Sequence, residues 1–408
     1  MRVIDVFFRR KRGSFLKTLL SLTLICASFL MIHKLKVSEK DGLGFKHVRS
    51  FGWCSGSDCF PFRSGDVKPG VDGSNPAGLR ADVRANQSWD AQVLNCTEDA
   101  SVRSKDWFRR LDPRFHQFVL HRHCRYFPML INHPEKCADT DAHLLMVIKS
   151  VIEQHDRREA VRKTWGEERT VNGKKIKTLF LLGTPAPGKD TKNLQKLIEY
   201  EDRIYGDILQ WDFMDTFFNL TLKEVNFLKW FDIFCPGIQF IFKGDDDVFV
   251  NTENLLDFID FKVEQRKEAG LFVGDTITKA IPIRNRQSKY YIPKELYDKP
   301  YPPYAGGGGF LMSGLLARRL FLVSEELELY PIDDVFLGMC LKKLQVYPEM
   351  HPGFRTFGIT RRRVSPMNND PCFYKSLLVV HKLTAHELLK MWSVVHDADL
   401  VCAQRTSM

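Results

Sequence analysis

The chain has 408 residues, 44% hydrophobic and 27% charged, which supplies a sizeable core and excludes a disordered or collagen-like polymer. The formal net charge of +10 suits anionic partners. Its basic residues are spread along the chain, with no zinc-finger spacing or aromatic RNA-binding motif, so nucleic acid is not an expected partner.

In chain order, residues 1–14 carry Arg9, Arg10, Lys11 and Arg12 and read as a cytoplasmic tail. The stretch 15–32 is apolar except for Lys17, which lies close enough to the edge to snorkel. It is longer than a signal-peptide core and no small-x-small cleavage site follows, so a retained signal-anchor is expected. The basic cluster places the bulk of this single-pass, type II protein in the secretory lumen, although Lys34 and Lys36 on the far side reduce the asymmetry.

Residues 33–100 are rich in Gly, Ser, Asp, Asn and Pro without a sustained apolar period, as in a lumenal stem. The sequons at Asn86, Asn95 and Asn219 agree with a lumenal address. So do the ten cysteines, one of which, Cys26, falls in the apolar stretch. The remainder is odd in number, so disulfides are expected with at least one thiol left over. Cys54 and Cys59 are close enough to bridge each other, and no second close pair supports zinc.

Residues 101–408 read as a single catalytic-size domain. The runs "HLLMVIKSV", "KTLFLLGT", "DILQWDF", "IQFIFKGDDD" and "GLFVGDT" are short and apolar on both faces, the pattern of a largely parallel sheet. Helices are expected between them. Asp156 with Glu159, and Thr221 with Glu224, have capping-box spacing, and Gly166 can terminate the first helix. Such an α/β chain presents ligands beyond the carboxyl ends of its strands.

"FKGDDDVFVN" puts Asp245, Asp246 and Asp247 at such an end. Adjacent carboxylates repel, and apolar residues on both sides make a solvated turn the poorer account, so a hard divalent cation such as Mn²⁺ or Mg²⁺ is expected. The Gly and Glu positions of an EF-hand are missing. "PYAGGGGFLMSG" brackets Gly306 to Gly309 between aromatic and aliphatic residues, which suits close approach of backbone to a ligand and positive φ more than a linker, but matches neither a P-loop nor a dinucleotide fingerprint. "YPIDDVFLGMC" offers Asp333 and Asp334, either as helix-capping acids or as a general base for a hydroxyl. His381, ending "LLVVH", is either structural or a third metal ligand. Arg157, Arg158 and Arg162 on the first helix, and Lys223 on the second, are of the kind that mostly faces water, with one or two available for diphosphate oxygens.

"RREAVRKTWG", "DTFFNLTLKE", "FKGDDDVFVN", "YAGGGGFLMSG" and "YPIDDVFLGMC", in this order, resemble the Golgi β-1,3-glycosyltransferases. "RHCRYFPMLINHPEKC" and the four-glycine run look like their β-1,3-N-acetylglucosaminyltransferase branch rather than the galactosyltransferases. The resemblance implies a type A glycosyltransferase fold, a Rossmann-like mixed and mainly parallel sheet flanked by helices. It also implies a membrane-anchored Golgi enzyme that transfers N-acetylglucosamine from UDP-GlcNAc, with Mn²⁺, to O3 of a terminal β-galactose on lactosamine-type glycans, including keratan sulfate, carried by glycoprotein or glycolipid. Room is left for a homodimer. By the same resemblance Asp247, Asp245 and His381 hold the metal, while Asp245, Asp246, Arg157, Arg162, Asp215 and Lys223 lie near the donor nucleotide. Tyr304, Gly308 and Gly309 line the sugar pocket, and Asp334 is the base with Asp333 as helper. The alternatives are a β-1,3-galactosyltransferase and a non-catalytic lumenal carbohydrate-binding relative.

Overall fold

Runs that are apolar on both faces become central strands because a sheet buried from both sides exposes neither pleat to water. In the computed structural model the described residues are 89, 96–138, 142–188, 190–359 and 365–402. The expected tail, membrane segment, most of the stem, Cys54, Cys59, Asn86 and Asn95 lie outside them. No helix among the described residues is long and apolar enough to cross a membrane.

The strands are β1 (Met129–Ile131), β2 (Ala142–Lys149), β3 (Thr170–Val171), β4 (Lys174–Thr184), β5 (Ile208–Met214), β6 (Phe240–Asp245), β7 (Val248–Val250), β8 (Phe272–Ile277), β9 (Tyr304–Ser313), β10 (Glu349–Met350), β11 (Phe354–Arg355) and β12 (Val379–His381). The longer helices are α1 (His155–Arg162), α2 (Thr191–Tyr205), α3 (Leu220–Phe234), α4 (Thr252–Glu264), α5 (Gly314–Ser324), α6 (Asp333–Lys343) and α7 (Ala385–Val395).

A nine-stranded sheet runs β1-β5-β4-β2-β6-β9-β8-β10, with β3 paired to β4. Its centre, β5-β4-β2-β6, is parallel, and β9 is antiparallel to both of its neighbours. Alternate residues feed two cores: Leu145 and Val147 of β2 enter one, and Leu144, Met146 and Ile148 the other. A small sheet, β11-β12-β7, lies beside the end of β6.

Packing begins well before residue 101. Trp89 packs on Trp211 and donates to the Phe127 carbonyl, and Cys96 is bonded to Cys124. Disulfides also join Cys137 to Cys235 and Cys372 to Cys402, leaving Cys340 as a buried thiol among the described cysteines.

Both expected capping boxes are corrected. Asn219 precedes α3, and Thr221 lies inside that helix, buried, with its hydroxyl donating to the Tyr330 carbonyl. Gln154 precedes α1; Asp156 sits within its first turn, and Glu159 pairs with Lys163 instead. In each case the side chain has a tertiary or helix-surface partner that outcompetes the local cap. A reciprocal capping box does occur at Thr384 and Glu387 of α7.

For the four-glycine run the expected positive φ is corrected. The run is the middle of β9, and none of the four glycines has positive φ. Space explains them better. A Cβ on Gly306 would lie 2.6 Å from Thr356 Cγ2, and one on Gly308 would lie 2.6 Å from His381 Nδ1.

Candidate active site

Asp245 ends β6, and Asp246 and Asp247 form the turn into β7. Strand pairing then assembles the site. β12 runs antiparallel to β7 with His381 opposite Val248, so the imidazole arrives beside Asp247 across a long sequence gap. The Asp247 carbonyl accepts the amides of Lys382 and Leu383 and locks that approach.

One ligand atom from each of Asp245, Asp247 and His381 can be chosen so that all lie within 4.8 Å of one another. His381 Nδ1 lies 2.8 Å from the Thr356 carbonyl. A carbonyl only accepts, so Nδ1 carries the proton and Nε2 faces Asp247 Oδ1 at 2.9 Å and Asp245 Oδ2 at 3.5 Å. A lone pair turned toward two carboxylates is reconciled only by a proton or a metal cation. This donor set, two hard carboxylates and an oriented imidazole, fits a divalent metal.

Asp246 faces away from this cluster. It is buried, accepts from Ser150 Oγ at 2.7 Å and from Arg157 at 3.1 Å, and burial pushes its carboxyl above the usual range. Arg157 also lies 3.6 Å from Asp247 and is partly exposed, so it borders the cluster with donors to spare. Arg162 does not reach it: the guanidinium binds Asp207 through two nitrogens and packs over the Tyr205 ring. Arg158, expected to face water, is fully buried and donates to Ser150, to the Val151 and Ile152 carbonyls and to Glu201. Lys223 and Asp215 form a buried pair at 2.7 Å, and Lys223 also donates to the Ser150 carbonyl. They prop the segment after β2 from below. Asn219 Nδ2 donates to the Met214 carbonyl.

Asp333 and Asp334 open α6, where the helix dipole favours acids, with Ile332 as the residue before the helix, so neither is its cap. They differ sharply in environment. Burial pushes Asp333 up, but Lys149 Nζ donates to it at 2.8 Å and outweighs that, leaving the carboxyl below its usual range. Asp334 makes no such contact. Burial and then the Asp333 charge push it up to about 7, opposed by Lys149 and the Val335 and Gly307 amides. A carboxylate poised near neutrality fits a proton acceptor for a hydroxyl. Tyr304, at the start of β9, borders Asp334, and burial drives its hydroxyl far above the usual range. Gly308 backs onto His381, and a Cβ on Gly309 would lie 3.0 Å from Val379 Cγ1. These glycines are where β9 passes close to the cluster of Asp245, Asp247 and His381.

A galactosyltransferase family profile matches residues 156–352. The chain is 57% identical over 324 residues to UDP-GlcNAc:betaGal beta-1,3-N-acetylglucosaminyltransferase 7 of Rattus norvegicus, covering 78% of this chain and 80% of that protein. It belongs to the β-1,3-N-acetylglucosaminyltransferases. It is also 47% identical over 300 residues to the human protein named UDP-GlcNAc:betaGal beta-1,3-N-acetylglucosaminyltransferase 9, covering 69% of this chain and 74% of that one. To human N-acetyllactosaminide beta-1,3-N-acetylglucosaminyltransferase 2 the identity is 44% over 308 residues, covering 75% and 76%.

Sequence reasoning missed three parts of the site in this transferase. Lys149, at the end of β2, bridges Asp333 and Asp245. Ser150 fixes Asp246, and the Thr356 carbonyl fixes the tautomer of His381. A lysine ending an otherwise apolar strand was the available signal for the first. The others act through a hydroxyl and a backbone atom, which leave no mark in sequence.

Proposed function

We propose that this enzyme transfers N-acetylglucosamine from UDP-GlcNAc to O3 of a terminal β-galactose on lactosamine-type glycans, with inversion, on a type A glycosyltransferase fold. The observation that supports it is the junction made by Lys149, whose Nζ lies 3.1 Å from Asp245 and 2.8 Å from Asp333. Through it the Asp245 carboxylate and the Asp333–Asp334 pair, which carries the candidate base, are held at one site by a single side chain, as a reaction between positioned donor and acceptor needs.

In this reading Asp334 accepts the proton of the galactose O3 hydroxyl as that oxygen attacks the anomeric carbon. The bond from that carbon to the diphosphate oxygen breaks, UDP departs, and the α-linked donor becomes a β1,3 product. Asp245, Asp247 and His381 would hold a divalent cation, Mn²⁺ in this proposal, which offsets charge on the leaving diphosphate when bound. Arg157 supplies a further cationic group beside it, and Tyr304 walls the sugar-side pocket next to Asp334. A Golgi address with type II anchoring through residues 15–32 is part of the same proposal, as is a galactose-terminated acceptor on glycoprotein or glycolipid.

The test is incubation of the full chain with UDP-GlcNAc, UDP-galactose or UDP-GalNAc, with Mn²⁺ and a lactosamine acceptor. The expected result is a β1,3-linked GlcNAc product from UDP-GlcNAc. Preferential galactose transfer, or no transfer with any donor, overturns it.

A further inference from the structure

We propose that Lys149 is a positioning residue: its ammonium clamps Asp333 beside Asp334 and ties that pair to Asp245, setting the base and the metal cluster as one unit. The inference rests on the assignment of Asp334 as the base.

Register puts Lys149 there. β2 and β6 run parallel with Lys149 paired to Asp245, so both side chains emerge at the carboxyl end of the sheet. The lysine side chain is only 7% exposed, and its charge is surrounded by carboxylates. A Cβ at Gly307 would lie 3.5 Å from Lys149 Nζ and 3.8 Å from Asp334 Oδ2, so β9 passes against both groups at a residue with no side chain to intrude.

Consecutive buried carboxylates cannot both ionise cheaply without a cation. Lys243 is also near and its charge favours the Asp333 anion, but its ammonium is buried against Glu224 at 2.7 Å, whereas Lys149 bonds Asp333 directly. Lys149 is therefore the cation that balances Asp333. The groups facing Asp334 are Asp333, Lys149 and the hydroxyls of Tyr301 and Tyr304. Only the first two change its charge environment near neutral pH. They act in opposite directions, since the Asp333 anion favours the protonated base and the Lys149 cation the ionised one. Removing the cation alone should make the base harder to ionise, and removing both partners should make it easier.

The experiment measures kcat and KM against pH for the full chain with UDP-GlcNAc, Mn²⁺ and a lactosamine acceptor. Lys149→Met should move the acidic limb of kcat up by about one unit and lower kcat at neutral pH about tenfold, with KM for UDP-GlcNAc changed far less. The double variant Lys149→Met with Asp333→Asn should move the same limb down, and Lys149→Arg should leave it in place. Limbs that stay put, or move the same way in both Met variants, overturn the proposal. If Lys149→Met fails to fold, the double variant, which buries no unpaired charge, carries the test: an unmoved limb overturns the clamp. Asp334→Asn run in parallel separates the two readings. Normal transfer by that variant removes the base assignment, whereas its loss together with unmoved limbs for the lysine variants removes only the clamp.

Discussion

Two buried charge clusters lie within a few residues of each other in this fold, and they are balanced differently. Beneath α1, Arg158 and Arg162 meet Glu201 and Asp207 at 2.7–2.8 Å, and every carboxylate has its guanidinium. At the ends of β2 and β6, Asp245, Asp246, Asp247, Asp333 and Asp334 converge on Lys149, Arg157 and His381, and negative charge remains in excess. The first cluster is complete in itself and holds α1 against α2. In the second the acids outnumber their cations, and under the proposed function a bound divalent cation would balance it.

The sharpest way to break that comparison is to remove one acid from the unbalanced side. Asp334→Asn should lower kcat by about 10²–10⁴-fold, the usual worth of a general base, while UDP binding persists. In the parent enzyme kcat should fall as pH drops through about 7, because the base works only when ionised and its carboxyl is held that high. Pre-steady-state and pH-rate measurements check both, and a wild-type rate in the variant ends the assignment.

Asp247→Asn should next abolish Mn²⁺-dependent UDP binding by titration calorimetry, since a carboxamide neither balances a divalent charge nor matches the His381 ring. Unchanged affinity would mean the cluster is structural like its neighbour.

On the balanced side the currency is stability. Glu201→Gln should cost about 3–5 kcal/mol, because it strands buried guanidinium groups. Burial pushes Glu201 up, but its arginine and histidine partners outweigh that and hold it at about 2. A depressed carboxyl contributes stability that is complete above its unfolded value of 4.5 and is lost as pH falls through the folded one. Denaturant melts from pH 6 down to pH 2 should show the parent losing this advantage and the variant lacking it. Smallest of all, Thr384→Ala at the α7 capping box should cost about 1 kcal/mol, readable in the same melts. A larger loss would show that the C-terminal helix does more than cover the core.

Much of this is legible in the amino-acid sequence. The central strands announced themselves because they are buried on both faces, and the acids stood out because apolar residues surround them. The local readings failed where one residue had two partners to choose from. Thr221 and Glu224 have the spacing of a cap, yet the hydroxyl bonds to Tyr330 and the carboxylate to Lys243, both far away in sequence. Arg158 looks like a surface charge on a helix and is fully buried, because Glu201 on α2 receives it. The four glycines suggested positive φ and are instead extended strand, where the absent side chains of Gly306 and Gly308 make room for Thr356 and His381.

The sequence by itself determined an α/β chain with an acidic cluster at a strand end, since periodicity and charge crowding are properties of the chain, and the order of its motifs carried the resemblance to the transferases. Which acids act together was decided only by tertiary structure. The pairing of β12 with β7 brings His381 to Asp247, and the register of β2 with β6 sets Lys149 between Asp245 and Asp333. Ion pairing depends on distances of a few ångströms, and such distances between residues far apart in the chain exist only once the sheet has fixed its register.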